Sequence, residues 1–289
     1  MPYDILVAPF VDFEFMRRAL AGIVALALGG APIGVFLMLR RMSLVGDAMA
    51  HAILPGAAIG FLLSGLSLFA MTIGGLVAGF AVAILAGLVA RVTELKEDAS
   101  LAAFYLVSLA LGVTIVSVKG TNIDLLHVLF GNILALDDQT LYVIAFNATL
   151  TLVALAVIYR PLLIECVDPL FLRTVSRAGA PAHLAFLALV VINLVNGFHA
   201  LGTLLAVGLM ILPAGIARFW ARDVTGMIVI AVIVAALSGY FGLVLSFQTR
   251  VPSGPAIILV AAITYLVSLV IGPVGGLARR LFPGRHLEA

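Results

Sequence analysis

The sequence predicts an all-α protein, a polytopic bundle of about nine membrane-spanning helices, and two observations carry that prediction. Its 289 residues are 64% hydrophobic and only 10% charged, with a mean hydropathy of +1.26, far from the composition of soluble globular domains. A membrane-spanning helix needs roughly 20 apolar residues, so this content supplies about nine spans and leaves no room for a large soluble domain. We therefore expect one membrane domain over residues 1–280 and a tail over residues 281–289.

Apolar runs divide the chain in order, and glycine, proline or charged residues separate each run from the next. The expected spans are residues 19–39, 47–64, 68–90, 99–118, 139–159, 184–199, 201–217, 224–247 and 254–275. The sixth and seventh are the shortest, and the break at Asn196-Gly197 could be a kink within one helix rather than a turn. The first residues place acids before the paired arginines Arg17 and Arg18, so we do not expect a removable signal peptide.

The distribution of basic residues decides between eight and nine spans. With nine spans and an outside N-terminus, twelve basic side chains fall in the cytoplasm and four outside. The cytoplasmic ones are Arg40, Arg41, Arg91, Lys96, Arg160, Arg173, Arg177, Arg218, Arg222, Arg279, Arg280 and Arg285, and the outer ones are Arg17, Arg18, Lys119 and Arg250. If residues 184–217 formed a single span, eight basic residues would lie in the cytoplasm and eight outside. The excess of Lys and Arg that is typical of short cytoplasmic loops would then be lost. We therefore expect nine spans, with the C-terminus in the cytoplasm.

The outer connection over residues 119–138 is long enough to carry function. It contains an apolar run from Ile123 to Leu136 that is too short to cross the membrane, because a span needs roughly 20 residues. We expect a re-entrant or interfacial helix there. Asp124 and His127 lie three residues apart in this run, so they form a secondary candidate pair of metal ligands, although a solvated loop histidine is the simpler reading.

The inner connection over residues 160–183 contains a stretch with the signals of a short helix. Asp168 fits an N-cap, Pro169 the first helical position and Gly179 a C-terminal cap, which is the usual order of such residues. A short capped helix on the cytoplasmic face is a natural docking surface for another protein. The alternative is a helix that lies on the lipid surface.

The main candidate site is the pair Asp47 and His51, at the start of the second span. Residues four apart share one face of a helix, about 6 Å apart along its axis. Ionisable groups in an apolar segment are costly unless they face a water-filled cavity or a partner. A carboxylate and an imidazole together suit a divalent ion such as Zn²⁺ or Mn²⁺. The alternative is a structural Asp–His hydrogen bond that joins two helices.

Other residue patterns add one secondary candidate and several exclusions. His199, at the short break between spans six and seven, could line the outer mouth of a pathway. The single cysteine, Cys166, excludes an internal disulfide, and the small net charge of +2 gives no basic footprint for nucleic acid. The sequence has no phosphate-binding G-x-x-x-x-G-K-[ST] loop, no H-E-x-x-H motif and no G-x-S-x-G elbow, so ATP, if used, is bound by a partner chain.

Four segments in order resemble the permease subunits of the zinc/manganese/iron ABC importer family. They are RRMSLVGDAMAHAILPG (Arg40 to Gly56), LFGNIL (Leu129 to Leu134), ALGTLLAVGLMILPAGIAR (Ala200 to Arg218) and GLVLSFQTRVPSGPAIIL (Gly242 to Leu259). The resemblance extends over approximately residues 15–275. It implies the type II importer fold and a bacterial inner (plasma) membrane protein.

The resemblance also implies partners and residue roles. Two permeases pack around a central pathway as a homodimer, two cytoplasmic ATPase subunits dock below, and a periplasmic metal-binding protein delivers the ion. Asp47 and His51 fall on the metal-pathway pair, and residues 91–100 fall near the inner gate. The ATPase-coupling helix falls on residues 168–179, with candidate contacts Asp168, Pro169, Phe171, Arg173 and Gly179. This segment, DPLFLRTVSRAG, lacks the acid that commonly follows the proline and the Ala-Arg pair that commonly follows the phenylalanine.

We therefore expect the membrane-spanning subunit of an ATP-driven importer for a divalent transition metal, not itself an enzyme. Zn²⁺ is slightly preferred over manganese or iron, as transported substrate rather than cofactor. One alternative is a permease for a metal chelate such as a siderophore or haem, whose cavity would be wider. The other is a stand-alone proton-coupled metal carrier that uses Asp47 and His51 as a proton relay.

Overall fold

The computed structural model describes residues 2–65, 67–95, 97–118, 133–168, 171–172, 174, 176 and 178–278. The described residues form helices and connecting turns, with no strand among them. The α-helices, numbered in chain order, are α1 (Pro2–Leu6), α2 (Ala8–Asp12), α3 (Glu14–Leu39), α4 (Val45–Ala52), α5 (Leu54–Ser64), α6 (Leu68–Val92), α7 (Glu97–Val118), α8 (Asp138–Val167), α9 (Gly179–Leu201), α10 (Thr203–Arg218), α11 (Val224–Thr249) and α12 (Ser253–Ile271).

Eight helical segments of the described chain are long and apolar enough to cross a membrane, and α4 and α5 together form one of them. α10 is also apolar but has only 16 residues. These segments follow one another in the order of the nine apolar runs. The predicted fold class, an all-α polytopic membrane bundle, is therefore confirmed.

Helix α8 is longer than the sequence predicted. It runs for 30 residues from Asp138 to Val167, so the connection expected from residue 160 begins at Asp168 instead. Pro161 does not end the helix, and the next side chain, Leu162, is fully buried. At the other end Asp137 caps the helix, and hydrogen bonds from the side chain and backbone of Thr140 hold the pKa of the Asp137 carboxyl below its usual value.

A tight turn at Gly202 separates α9 from α10. Gly202 has a φ of 84°, a backbone conformation that favours glycine. Near the turn the two helices touch, since a Cβ atom at Gly197 would lie 2.8 Å from the Cβ of Ala206. The two apolar pieces are therefore an antiparallel pair, as expected for two spans, but the break lies at Gly202 and not at Asn196-Gly197, which is helical.

Contacts between distant helices give the direction of each segment. α3 runs parallel to α8 and α10, α10 runs parallel to α12, and α3 runs antiparallel to α11. The contacts that establish these directions are Gly22–Leu141, Gly29–Ala148, Phe36–Tyr159, Gly30–Met210, Met38–Gly215, Gly208–Ile258, Gly215–Tyr265, Phe13–Phe247 and Ile23–Gly239. The start of α3 and the end of α12 consequently lie at opposite ends of the bundle, as an odd number of crossings requires.

Helix α3 forms the centre of the bundle. Its first turns pack in one hydrophobic cluster with α8, α10 and α11, and its last turns pack in a second with α4, α6 and α9. The closest approach is at Gly34, where a Cβ atom would overlap the carbonyl oxygen of Met210 on α10. Small residues permit such close helix packing in lipid.

Candidate metal site

A rigid turn connects the central helix to the helix that carries the site. The backbone N–H of Met42 donates to the carbonyl of Leu37 at 2.8 Å, and that of Arg41 donates to Met38 at 3.1 Å. These two bonds form a Schellman motif, whose left-handed residue is usually glycine. Here it is Arg41, with a φ of 59°. The turn fixes the direction in which α4 leaves α3.

Asp47 and His51 lie on one exposed face of α4. The Nε2 atom of His51 is 3.9 Å from the Oδ1 atom of Asp47, and their side chains are 32% and 68% exposed. The opposite face is buried through Met49 and Ala52. This distance is too long for a hydrogen bond, and both residues belong to one helix, so within this chain the pair does not join two helices. It presents one oxygen donor and one nitrogen donor to the space outside the bundle.

One residue, Ile53, separates α4 from α5 shortly after His51, and its backbone stays helical, with φ of −74° and ψ of −25°. Pro55, in the first turn of α5, supplies no N–H to the carbonyl of His51, four residues earlier. Ser108 of α7 donates to the carbonyl of Ala52 at 2.8 Å. The ring of Tyr105, also on α7, lies 6.4 Å from that of His51, centroid to centroid. Helix α7 therefore contacts both the end of α4 and the side chain of His51.

The Asp47–His51 pair alone offers a metal ion two ligands. Among the described residues no group of three or more His, Cys, Asp or Glu side chains comes together, whereas a bound transition-metal ion commonly has four or more ligands. Asp124 and His127 lie outside the described residues. His199 lies in the last turn of α9, but its side chain is not among those described.

In the expected coupling segment, the structure agrees with the predicted N-cap, Asp168, but not with the predicted C-terminal cap, Gly179. The Oδ1 atom of Asp168 accepts a hydrogen bond from the backbone N–H of Phe171 at 2.9 Å, as an N-cap residue does. Phe171 is 53% exposed, whereas its neighbour Leu172 is buried. Gly179 is not a C-terminal cap, since it is the first residue of α9 and packs against Leu172. Pro169 and Arg173 lie outside the described residues.

Comparison with known proteins identifies the family to which this architecture belongs. The sequence profile of the ABC 3 transport family matches residues 12–272. The chain belongs to the ABC 3 transport family. This ABC 3 protein is 31% identical over 272 residues to the manganese import system permease protein ScaB of Streptococcus parasanguinis, an alignment that covers 93% of this chain and 96% of the relative.

A solved structure and a second relative are also similar to this chain. A chain of PsaBC from Streptococcus pneumoniae, solved in complex with Fab, matches this ABC 3 protein with a TM-score of 0.79 and 30% identity, over 95% of this chain and 98% of that one. The chelated iron transport system membrane protein YfeD of Yersinia pestis is 28% identical over 274 residues, covering 93% of this chain and 89% of the relative. The family expected from the four sequence segments is confirmed.

Sequence reasoning missed one charged pair in this ABC 3 protein. Arg40, at the end of α3, lies 3.1 Å from Glu165 of α8. From the sequence alone Arg40 is one of twelve basic residues expected in the cytoplasm, and Glu165 is assigned no role. The available signal was an acid within the apolar run LLIECV, since an ionisable residue in such a run is a functional candidate by default. Its partner, 125 positions away in the sequence, is visible only in the fold.

Proposed function

We propose that this chain is the permease subunit of an ABC importer for a divalent transition-metal ion. The observation that carries the proposal is the Asp47–His51 pair, exposed on one face of a helix shortly before Pro55. Ionisable residues within a membrane span mark substrate or ion pathways by default. Oxygen and nitrogen donors suit first-row divalent ions. The manganese import permeases among the relatives support the same class of cargo.

A second copy of the chain completes the site in this proposal. Two donors from each of two copies give four protein ligands, enough for a tetrahedral Zn²⁺ ion, and an octahedral Mn²⁺ ion would complete its coordination with water. The 68% exposure of the Asp47 side chain supports this arrangement, because a charged group in a membrane protein needs a partner or a water-filled space. The homodimer therefore encloses a central pathway, with one ion between two Asp47–His51 pairs.

Mn²⁺ is the favoured cargo in this proposal, in place of the Zn²⁺ that the sequence alone slightly favoured. Both ions accept a carboxylate and an imidazole, so the pair itself does not separate them. The several relatives named for manganese import favour Mn²⁺. A metal chelate is the second candidate, supported by the relative named for chelated iron transport. The compact pair of donors supports a bare ion.

Transport proceeds by alternating access, driven by ATP bound to separate subunits. The exposed Phe171 beside the Asp168 cap supplies the contact for a cytoplasmic ATPase subunit. We place this end of the bundle in the cytoplasm, with the start of α3 outside, where a periplasmic metal-binding protein delivers the ion. The excess of Lys and Arg at the proposed cytoplasmic end supports this orientation.

Reconstitution in lipid vesicles tests the function. We expect vesicles that contain this chain with its ATPase subunits and metal-binding protein to accumulate ⁵⁴Mn²⁺ only when ATP is supplied. Vesicles that contain the chain alone should show no uptake under an imposed proton gradient. Accumulation by the chain alone, driven by protons without ATP, would instead establish the stand-alone carrier and refute the permease.

A further inference from the structure

A buried ion pair joins the central helix to α8 at the proposed cytoplasmic end of the bundle. The Nη2 atom of Arg40 lies 3.1 Å from the Oε1 atom of Glu165, and the two side chains are only 10% and 17% exposed. The guanidinium carbon of Arg40 also lies 5.5 Å from the centre of the Phe186 ring on α9, a favourable cation–π distance. Three helices thus meet at one arginine.

Stability alone does not account for this pair. Burying two charges costs more than well-packed apolar residues at the same positions would, and replacing such a pair with apolar residues is often neutral or stabilising. In the described part of the protein, moreover, the buried Nη1 of Arg40 and Oε2 of Glu165 have no hydrogen-bond partner. Unpaired atoms of this kind add to the cost of burying the pair.

Each member of the pair is close in sequence to one of the two functional segments, the metal-site helix α4 and the coupling segment that begins at Asp168. Arg40 lies within the Schellman turn, directly before its left-handed residue Arg41, and Asp47 follows Arg40 by seven residues. Glu165 precedes Asp168, the cap of the coupling segment, by three residues. Since the turn fixes α4 relative to α3, a force applied to Arg40 moves the helix that carries Asp47.

Helix α8 has a weak point just before Glu165. Pro161 lies inside the helix and supplies no N–H to the carbonyl of Val157, four residues earlier, so bending is easiest there. Above this point α8 packs closely against α3, since a Cβ atom at Gly29 would lie 3.2 Å from the Cα atom of Ala148. The lower turn of α8 can therefore move while the upper part stays in place.

We propose that the Arg40–Glu165 pair transmits movement of the coupling segment to the metal-site helix. When the ATPase subunits displace residues 168–172, the lower turn of α8 bends at Pro161, and Glu165 pulls Arg40 and, through the turn, α4. Arg40 and Glu165 are thus positioning residues that contact neither ion nor nucleotide. This inference rests on the proposed function.

The test measures Mn²⁺ uptake and ATP hydrolysis in the same vesicles, with the complete complex of permease, ATPase and metal-binding protein. The double variant Arg40→Met with Glu165→Leu removes the charges and keeps apolar bulk, so its thermal unfolding temperature should equal that of the wild type or exceed it. Its ratio of Mn²⁺ transported to ATP hydrolysed should fall by about 5- to 150-fold, the range of coupling between distant sites. The near-isosteric variant Glu165→Gln should lower the ratio in the same direction.

A matched control lies at the other end of the same two helices. In the more exposed ion pair there, the Nε of Arg18 lies 2.8 Å from the Oδ1 of Asp138. Arg18→Gln with Asp138→Asn removes this pair and should leave the ratio at the wild-type value. A wild-type ratio in either Arg40–Glu165 variant, or an equal loss in the control, would overturn the inference while leaving the proposed function intact. Failure of the wild-type complex to take up Mn²⁺ with ATP would overturn the proposed function itself, and this inference with it.

Discussion

Replacing Asp47 or His51 with alanine should lower ATP-driven Mn²⁺ uptake by more than about 100-fold, because loss of groups that merely support metal ligands commonly costs 10- to 100-fold. Each substitution removes one of the two donors on the exposed face of α4, and in a homodimer it removes that donor twice. Helix α4 itself should persist, since alanine is the best helix former. ⁵⁴Mn²⁺ uptake by vesicles with equal amounts of assembled complex measures the effect.

The matched control for the carboxylate is Asp12→Ala. Asp12 is also exposed, but it lies at the end of α2, beside the start of α3 and therefore at the other end of that helix from α4. Its removal should leave uptake at the wild-type level. Wild-type uptake by both Asp47→Ala and His51→Ala complexes would show that the pair has no part in transport.

Replacing Gly34 with alanine should destabilise the folded bundle by about 1–3 kcal/mol or more, the usual cost of overpacking a filled interior. The added methyl group would overlap the carbonyl oxygen of Met210, a backbone atom that cannot rotate away as a side chain can. The axes of α3 and α10 would have to separate, and the packing of both hydrophobic clusters would loosen. Thermal unfolding in detergent micelles measures the loss.

Gly87→Ala is the control for this prediction. Gly87 lies inside α6, and a Cβ atom there would meet nothing within 4 Å. Alanine should therefore stabilise the helix by about 0.5–1 kcal/mol through its lower conformational entropy in the unfolded chain. An unfolding temperature of Gly34→Ala equal to or above that of the wild type would contradict the close packing of α3 on α10.

The spans were predictable because a membrane imposes one simple pattern on sequence. Long apolar runs must become helices in lipid, and the basic loop residues then separate two short runs from one long one. The structure agrees, with an antiparallel α9–α10 pair. Boundaries were less predictable: Arg160-Pro161 resembles a helix end, yet α8 continues to Val167 because Leu162 is buried. Gly179 resembles a cap, yet it begins α9.

The pairs Asp47–His51 and Arg40–Glu165 show which contacts of a site can be predicted from the sequence and which cannot. Asp47 and His51 are four residues apart, so helix geometry alone places them on one face. Arg40 and Glu165 lie on different helices, and their contact depends on the parallel packing of α3 and α8. That packing is set by many side chains between them, such as Phe36 against Tyr159. No local pattern encodes it.

Electron paramagnetic resonance of Mn²⁺ bound to the permease–ATPase complex, with ¹⁵N-labelled histidine and without nucleotide, tests the central claim most directly. We predict one Mn²⁺ ion for every two permease chains, with a ¹⁵N hyperfine coupling that disappears in His51→Ala. A bound ion without histidine coupling, or a coupling that survives in His51→Ala, would contradict the assignment of the metal pathway to Asp47 and His51.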